Sequence, residues 1–329
     1  MSRLRDALTK PGAGDAALKS AARALYKSLV EPASARLAKK KTLIIVPDGF
    51  LFEIPYEVLL AEDAGDGAGW GDLSFLARSF TTLYAPSASV YANLAGAKKP
   101  PRYELDLLAL GDPDYTGLAG GAGTGTAGAS GPGGPLSPLP FSRDEVEKIA
   151  STTKPERATV LVGPEASEAA LKKGLGAGTA RIVHLAAHGL VDPAEPARSC
   201  IALSPDPASN EDGFFYTLEV LSAPVQARLV VLSACESAKG RLSRGEGVVG
   251  LSRSFIGAGA GGVVASLWKV SDESTSALMK EFYDRMIGKK VPAAVALGDA
   301  RTALIENEKY AHPFHWSPFV MIGTDRAPW

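Results

Sequence analysis

Residues 181–189, RIVHLAAHG, and residues 228–236, RLVVLSACE, decide the fold of this chain. Each stretch is a short and nearly continuous apolar run, which is typical of a strand buried on both faces of a parallel sheet. The first run ends in His188 and the second in Cys235. Because ligands collect beyond the carboxyl ends of such strands, an imidazole and a thiol would lie side by side there if the strands are neighbours.

The surrounding sequence alternates between strand patterns and helical patterns of about 10–15 residues, which predicts an α/β protein. We expect a mainly parallel sheet that is covered by helices on both faces. One helix, 142–150, has capping-box spacing, with Ser142 as the N-cap and Glu145 three residues later. The other predicted strands are 43–49, 107–110, 159–162 and 262–267, and the other predicted helices are 15–38 with a break at Pro32, 166–173, 218–221, 247–256, 272–287 and 292–307.

Composition excludes several classes of function. The 329 residues carry a formal net charge of −1, which gives no broad attraction to nucleic acid or to an anionic membrane surface. The apolar runs are of strand length, far short of a membrane span, and the N-terminus lacks the apolar core of a secretory signal. Two cysteines make a disulfide framework implausible, so we expect a cytoplasmic protein. Four histidines without zinc-site spacing predict no metal, and we expect no cofactor.

Residues 116–139 are rich in Gly, Ala, Ser, Thr and Pro, and none of them is charged. Such a segment buries too little apolar surface to offset the entropy of ordering, so it predicts a mobile surface loop. A cleavable or regulatory linker is the alternative. For the domain organisation we expect a helical leader over 1–40 and one α/β domain over 41–329.

A thiol beside an imidazole is the arrangement that nucleophilic catalysis requires. The thiolate of Cys235 would attack a carbonyl carbon, and His188 would protonate the leaving amine. The backbone N–H groups of Gly189 and Cys235 would form an oxyanion hole. The alternative is that Cys235 is a small buried side chain and His188 an ordinary core histidine.

His184 lies four residues before His188, on the same face of the predicted strand. Four residues of strand span about 13 Å, too far for both rings to share one metal ion. We therefore expect His184 to have a structural role below the site. Cys200, the second cysteine, reads as the start of another buried strand.

Seven blocks of this sequence, in this order, resemble the CHAT family, the bacterial relatives of caspases and separase. The resemblance runs from about residue 43 to residue 323. It implies a three-layer caspase-like fold and a catalytic dyad of His188 and Cys235. Ser237 stands where the family commonly has threonine. The blocks are 45–49, IVPDG; 184–189, HLAAHG; 232–237, LSACES; 245–248, GEGV; 258–260, AGA; 266–272, SLWKVSD; and 315–320, HWSPFV.

Two acidic residues are candidates for binding substrate. Asp272 is similar in its local sequence to an acidic residue in the basic-residue pocket of separase, which implies a place in the specificity pocket. Its alternative role is to cap the helix that follows. Glu246 begins the helix after the cysteine strand, where it would either line the substrate cleft or complement the helix dipole.

The resemblance therefore predicts a cysteine endopeptidase that cleaves a protein or peptide substrate. It also implies activation by a sensor domain or a separate regulatory protein, and a role in bacterial defence, including antiviral defence. Residues 1–40 are too short to form such a sensor. The main alternative is a catalytically silent CHAT interaction or scaffold module. A serine hydrolase is disfavoured, because residues 250–254, GLSRS, lack the final glycine of the nucleophile elbow.

Overall fold

Eight strands form one sheet in the order β1-β2-β11-β10-β9-β5-β3-β4, and three shorter strands form a second sheet, β6-β7-β8. The computed structural model describes the chain except residues 1, 10, 13, 66, 98–101, 119–135, 178–179, 193–194, 234–246, 269–270 and 326–329. The strands are β1 (Thr42–Ile45), β2 (Thr81–Tyr84), β3 (Leu105–Pro113), β4 (Ala158–Gly163), β5 (Ala180–Ala186), β6 (His188–Leu190), β7 (Cys200–Ala202), β8 (Phe214–Tyr216), β9 (Leu229–Leu232), β10 (Gly262–Ser266) and β11 (Phe319–Gly323).

Several helices lie on the large sheet. Helix α6 contacts β3, β4 and β5, α9 contacts β10, and α11 contacts β2, while α10 contacts both α6 and α11. The helices are α1 (Ser2–Leu8), α2 (Asp15–Leu29), α3 (Ser34–Leu37), α4 (Leu76–Ser79), α5 (Ala88–Gly96), α6 (Pro140–Ala150), α7 (Glu168–Gly176), α8 (Thr217–Ser222), α9 (Gly247–Gly257), α10 (Asp272–Tyr283) with a π-helical turn Asp284–Gly288, α11 (Ala293–Ile305) and α12 (Pro313–Trp316).

The large sheet is parallel at every pairing except β10 with β11, which is antiparallel. All residues of β9 and β10 are buried, as the continuous apolar runs of these strands predict. The α/β fold with a mainly parallel sheet is thus confirmed. Within the described residues, no helix combines the length and apolarity needed to cross a membrane.

A buried ion pair fastens the β2–β11 part of the sheet to α11. Arg301 Nη2 lies 3.0 Å from Glu57 Oε1, and both side chains are almost completely buried. The Thr82 and Tyr84 hydroxyls donate to the two Glu57 oxygens, at 2.5 and 2.6 Å, and Arg301 Nη2 donates to the Phe319 carbonyl at 2.6 Å. These hydrogen bonds to the Glu57 oxygens and from Arg301 Nη2 offset part of the cost of burying the two charges in the core.

The predicted N-cap of α6 is wrong. The helix begins at Pro140, whose fixed φ suits the first helical position, and Leu139 is the N-cap residue. Ser142 lies inside the first turn, where its hydroxyl donates to the Leu139 carbonyl and accepts the Asp112 N–H, each at 2.7 Å. Of the loop predicted over 116–139, residues 119–135 lie outside the part of the chain that the structure describes.

Candidate functional site

The candidate site is at the carboxyl end of β5, in the middle of the large sheet. Strand β5 pairs with β3 on one side and with β9 on the other, both in parallel. It ends at Ala186, and after Ala187 the chain enters β6 at His188, which belongs to the second sheet. The two decisive strands are therefore neighbours, which the sequence left open. The step from β5 to β6 places His188 where the large sheet ends.

The ring of His188 is held between a carbonyl group and an aromatic side chain. Its Nε2 lies 2.7 Å from the Ser137 carbonyl oxygen, and its side chain is buried. The Tyr115 ring lies 5.2 Å from the imidazole, centre to centre. Because a carbonyl accepts but cannot donate, the contact with Ser137 places a proton on Nε2. In a neutral ring that leaves Nδ1 as the basic nitrogen.

Tyr115 also fixes the backbone at the site. Its hydroxyl oxygen accepts the His188 N–H at 3.2 Å. Burial raises the pKa of the Tyr115 phenol above its usual range, so the hydroxyl stays neutral. Tyr115 packs with Leu118, Leu190 and Cys200 in a small apolar cluster, against which Leu136 also packs. Leu118 and Leu136, which lie on either side of residues 119–135, therefore both pack in the cluster next to His188.

Ser137 and Tyr115 were not among the residues that the sequence singled out. Ser137 takes part through its carbonyl group, which every residue type carries, and it lies 51 positions from His188. Tyr115 lies 73 positions away and resembles any other core aromatic. The sequence gave no signal for either contact, because Tyr115 lies just after β3 and Ser137 lies in the irregular segment before α6.

Gly189 follows His188 within β6 and is paired with Ile201 of β7. Its place in an oxyanion hole remains a prediction. Cys235 and Glu246 both lie outside the described residues. The described part of the cysteine strand ends with β9 at Leu232, followed by Ser233.

Asp272 is the first residue of α10, and the residue that caps the helix is Ser271, not Asp272. The Ser271 hydroxyl accepts the Ser274 N–H at 3.3 Å. The alternative role of Asp272 as an N-cap is therefore wrong. Its place in a specificity pocket remains a prediction. Trp268, just before it, is buried in the core.

His184 is embedded in the core below the site, as expected. It is fully buried, its Nδ1 lies 2.9 Å from the Tyr283 hydroxyl, and its Nε2 lies 3.0 Å from Glu145 Oε1. A proton on Nε2 would face the Glu145 carboxylate and would leave Nδ1 to accept from the Tyr283 hydroxyl. Burial, and then the charge of Glu145, raise the pKa of Tyr283, so its hydroxyl keeps the proton that it donates.

One group of carboxylates among the described residues is close enough to hold a metal ion: Glu168, Glu211 and Glu219. Lys172 already lies between them, with Nζ at 2.7, 2.5 and 2.6 Å from the three residues in that order. The ammonium group thus supplies the cation that these oxygens need. Burial raises the pKa of Glu168 to about 7, although Lys172 opposes the shift.

Comparison with known proteins identifies the family to which these features belong. Residues 19–324 match the CHAT domain. Among curated proteins, tetratricopeptide repeat protein 28 of Homo sapiens is 24% identical over 92% of this chain, and that of Mus musculus is 23% identical over the same share. This chain spans 13% of the length of each.

Solved structures of peptidases share the fold at low sequence identity. The separase of the Saccharomyces cerevisiae separase–securin complex has a TM-score of 0.51 at 15% identity, over 83% of this chain and 14% of that one. The Arg-specific cysteine proteinase gingipain R has a TM-score of 0.51 at 12% identity, over 96% and 69%. A further protease structure has a TM-score of 0.54 at 11% identity, over 99% of this chain and 75% of that one. At these identities the likeness concerns the fold alone, which is that of caspase-like cysteine peptidases.

Proposed function

The chain belongs to the CHAT domain family, and we propose that it is a cysteine endopeptidase that acts through a dyad of His188 and Cys235. The observation that carries the proposal is the register of β5 and β9. Ile182 pairs with Leu229 and Leu185 with Leu232, so paired residues are 47 positions apart. His188 and Cys235 are separated by the same 47 positions in the sequence.

The setting of His188 also supports this role. A histidine that serves as a base for a thiol needs a fixed ring and a defined tautomer. The Ser137 carbonyl, 2.7 Å from Nε2, provides both, because it holds the ring and keeps the proton on that nitrogen. The lone pair of the neutral ring then belongs to Nδ1, which is the form that accepts a proton.

The proposed reaction has two halves. His188 Nδ1 accepts the proton of the Cys235 thiol, and the thiolate attacks the carbonyl carbon of the scissile peptide bond. The N–H groups of Gly189 and Cys235 stabilise the oxyanion, and the imidazolium protonates the leaving amine as the C–N bond breaks. Water, deprotonated by the neutral imidazole, then hydrolyses the thioester to a carboxylic acid and restores the thiol. No metal or organic cofactor enters these steps.

We assign substrate recognition to Asp272 and Glu246, which both follow Cys235 in the sequence. A carboxylate from Asp272 in the pocket would select Arg or Lys before the scissile bond. A peptide library tests this assignment, with wild type compared against Asp272→Asn. We expect a preference for basic residues that weakens in the variant, and equal cleavage after Arg, Leu and Ala in wild type would contradict it.

We also propose that a sensor domain or a separate regulatory protein controls the peptidase in the cytoplasm, within bacterial defence. The curated relatives are repeat proteins much longer than the region matched here, which is consistent with a CHAT domain working beside a larger interaction module. A protein substrate is the expected target, and neither nucleic acid nor membrane enters the proposed cycle.

Cleavage profiling tests the proposed function. Wild type and Cys235→Ala are compared on a proteome-derived peptide pool, with and without candidate regulatory proteins, and Cys200→Ala serves as the matched control. We expect cleavage by wild type and Cys200→Ala and none by Cys235→Ala. Undiminished proteolysis by Cys235→Ala would contradict the dyad. Absence of cleavage under every condition would favour the silent scaffold instead.

A further inference from the structure

Strand β1 lies at one end of the large sheet, and the other side of this strand pairs with none of the described strands. The carbonyls of Lys41 and Ile45 accept hydrogen bonds from β2, each at 2.9 Å. Because the peptide groups of a strand point alternately to its two sides, those of Thr42 and Ile44 point away from β2. The edge therefore offers backbone donors and acceptors to an incoming strand.

The side chains along this edge are unusually apolar for an exposed position. Ile44 is 44% exposed, and Val46, the residue that follows β1, is 47% exposed. Ile44 and Val46 share one face, since side chains alternate along a strand. Proteins commonly protect free edges with charges on that face, and here the charged residues lie at the ends of the strand instead.

Those end charges make the edge complementary to itself. In an antiparallel pairing of two copies centred on Ile44, each Ile44 faces the other, and Thr42 faces Val46 of the second copy. Lys40 and Asp48, both exposed, lie two residues before β1 and three residues after it, so the same pairing brings the Lys40 side chain of each copy near Asp48 of the second copy. The two-fold axis makes this opposite-charge contact twice.

The proline near this edge is compatible with the pairing. Pro47 lies beyond the end of β1, which ends at Ile45, so its missing N–H removes no hydrogen bond from the strand that would pair between copies. The residues that point outward, Thr42 and Ile44, both keep their N–H groups.

We propose that this edge is a homodimer interface, in which β1 of two copies pairs antiparallel and joins the two large sheets into one. The self-complementary charges favour a second copy over an unrelated strand, which would need matching charges of its own. The inference is independent of the peptidase activity.

Sedimentation velocity of the full chain, from about 1 to 200 μM, tests the proposal over the range expected for a modest interface. We expect a monomer–dimer equilibrium that Ile44→Lys weakens at least ~tenfold, because two unpaired ammonium groups would face each other. Leu218→Lys is the matched control, since Leu218 is 61% exposed on α8, and it should leave the equilibrium unchanged.

A charge exchange identifies the register. Lys40→Glu and Asp48→Lys should each weaken the dimer severalfold, and the double variant should restore it, because the contact is remade with the charges reversed. A monomer at every concentration would overturn the proposal. So would a dimer that Ile44→Lys leaves intact, or a double variant no tighter than the single ones. Because sedimentation measures association and not cleavage, a negative result in these experiments would leave the proposed function standing.

Discussion

His184 and His188 lie four residues apart on one segment, and both are buried, yet their surroundings differ in kind. His184 is enclosed by side chains, with Tyr283 at Nδ1 and Glu145 at Nε2. His188 lies past the end of the large sheet, where its Nε2 meets a backbone carbonyl from Ser137. Burial alone therefore does not separate a structural histidine from a candidate catalytic one. The two histidines are distinguished by the groups that contact the ring and by the position of the residue along the strand.

The largest expected effect is on the rate of cleavage by His188→Ala. The variant loses both the base for the thiol and the acid for the leaving amine, so kcat/KM should fall by about 10³-fold or more. Its melting temperature should stay close to that of wild type. Peptide cleavage and thermal unfolding measured on one preparation check both parts. A variant that keeps full activity would remove His188 from the mechanism.

His184→Ala should show the opposite pattern, with the main effect on stability. It leaves Glu145 buried beside no imidazole and Tyr283 without its acceptor, which should cost about 3 kcal/mol of unfolding free energy. Urea unfolding at pH 7 measures the loss. In a double-mutant cycle with Glu145→Gln, the two changes should cost less together than their sum. Unchanged stability would show that the His184 contacts are not structural.

The cluster formed by Lys172 with Glu168, Glu211 and Glu219 allows a test of how buried charges affect stability at a second place in the molecule. The folded state binds the Glu168 proton more tightly than the unfolded chain, because its pKa rises from 4.5 to about 7 on burial. Stability from this group is thus present below the unfolded pKa and is lost as pH rises through about 7.

Lys172→Met removes the cation that opposes this shift, so the pKa of Glu168 should rise further. The loss of stability should then be small near pH 5 and about 2 kcal/mol near pH 8. Unfolding curves at both pH values measure the difference, and Lys173→Met on the same helix is the control. An equal loss at both pH values would contradict the role of the carboxylate charges.

A smaller effect is expected from Tyr115→Phe. The change keeps the ring beside His188 and removes the hydroxyl that accepts the His188 N–H. We expect kcat to fall about tenfold through a looser imidazole, with KM little changed. Ser137→Ala is the control, because its contact is made by the backbone carbonyl, and activity should stay within about twofold of wild type. Equal loss in both variants would point to general damage of the segment.

Much of the sheet could be predicted because its central strands are continuous apolar runs with reactive residues at their ends. Whether β5 and β9 are neighbours was left open by the sequence, and the structure shows that they pair directly. Short strands such as β2, β6 and β11 gave no periodic signal, and their pairing depends on tertiary contacts. The capping pattern at Ser142 was misleading, because Pro140 begins the helix earlier and Glu145 instead faces His184.

The part of the site that sequence could not supply is the support around His188. A carbonyl group from Ser137 has no sequence signature, and Tyr115 becomes relevant only when β3 is placed next to β5. The residue types in the sequence identify the groups that would react. The orientation of the imidazole depends instead on contacts with residues far away in the sequence, such as the Ser137 carbonyl.

The most direct test of the dyad compares the two cysteines of the chain as alkylation targets. Cys200 is buried, and burial raises the pKa of its thiol to about 12, so it serves as an internal reference. Native protein is treated with iodoacetamide at pH 6.5, and the modified peptides are quantified by mass spectrometry. The dyad predicts rapid alkylation of Cys235, at least ~10-fold slower alkylation in His188→Ala, and none at Cys200. Alkylation of Cys235 at the same slow rate in wild type and His188→Ala would contradict it.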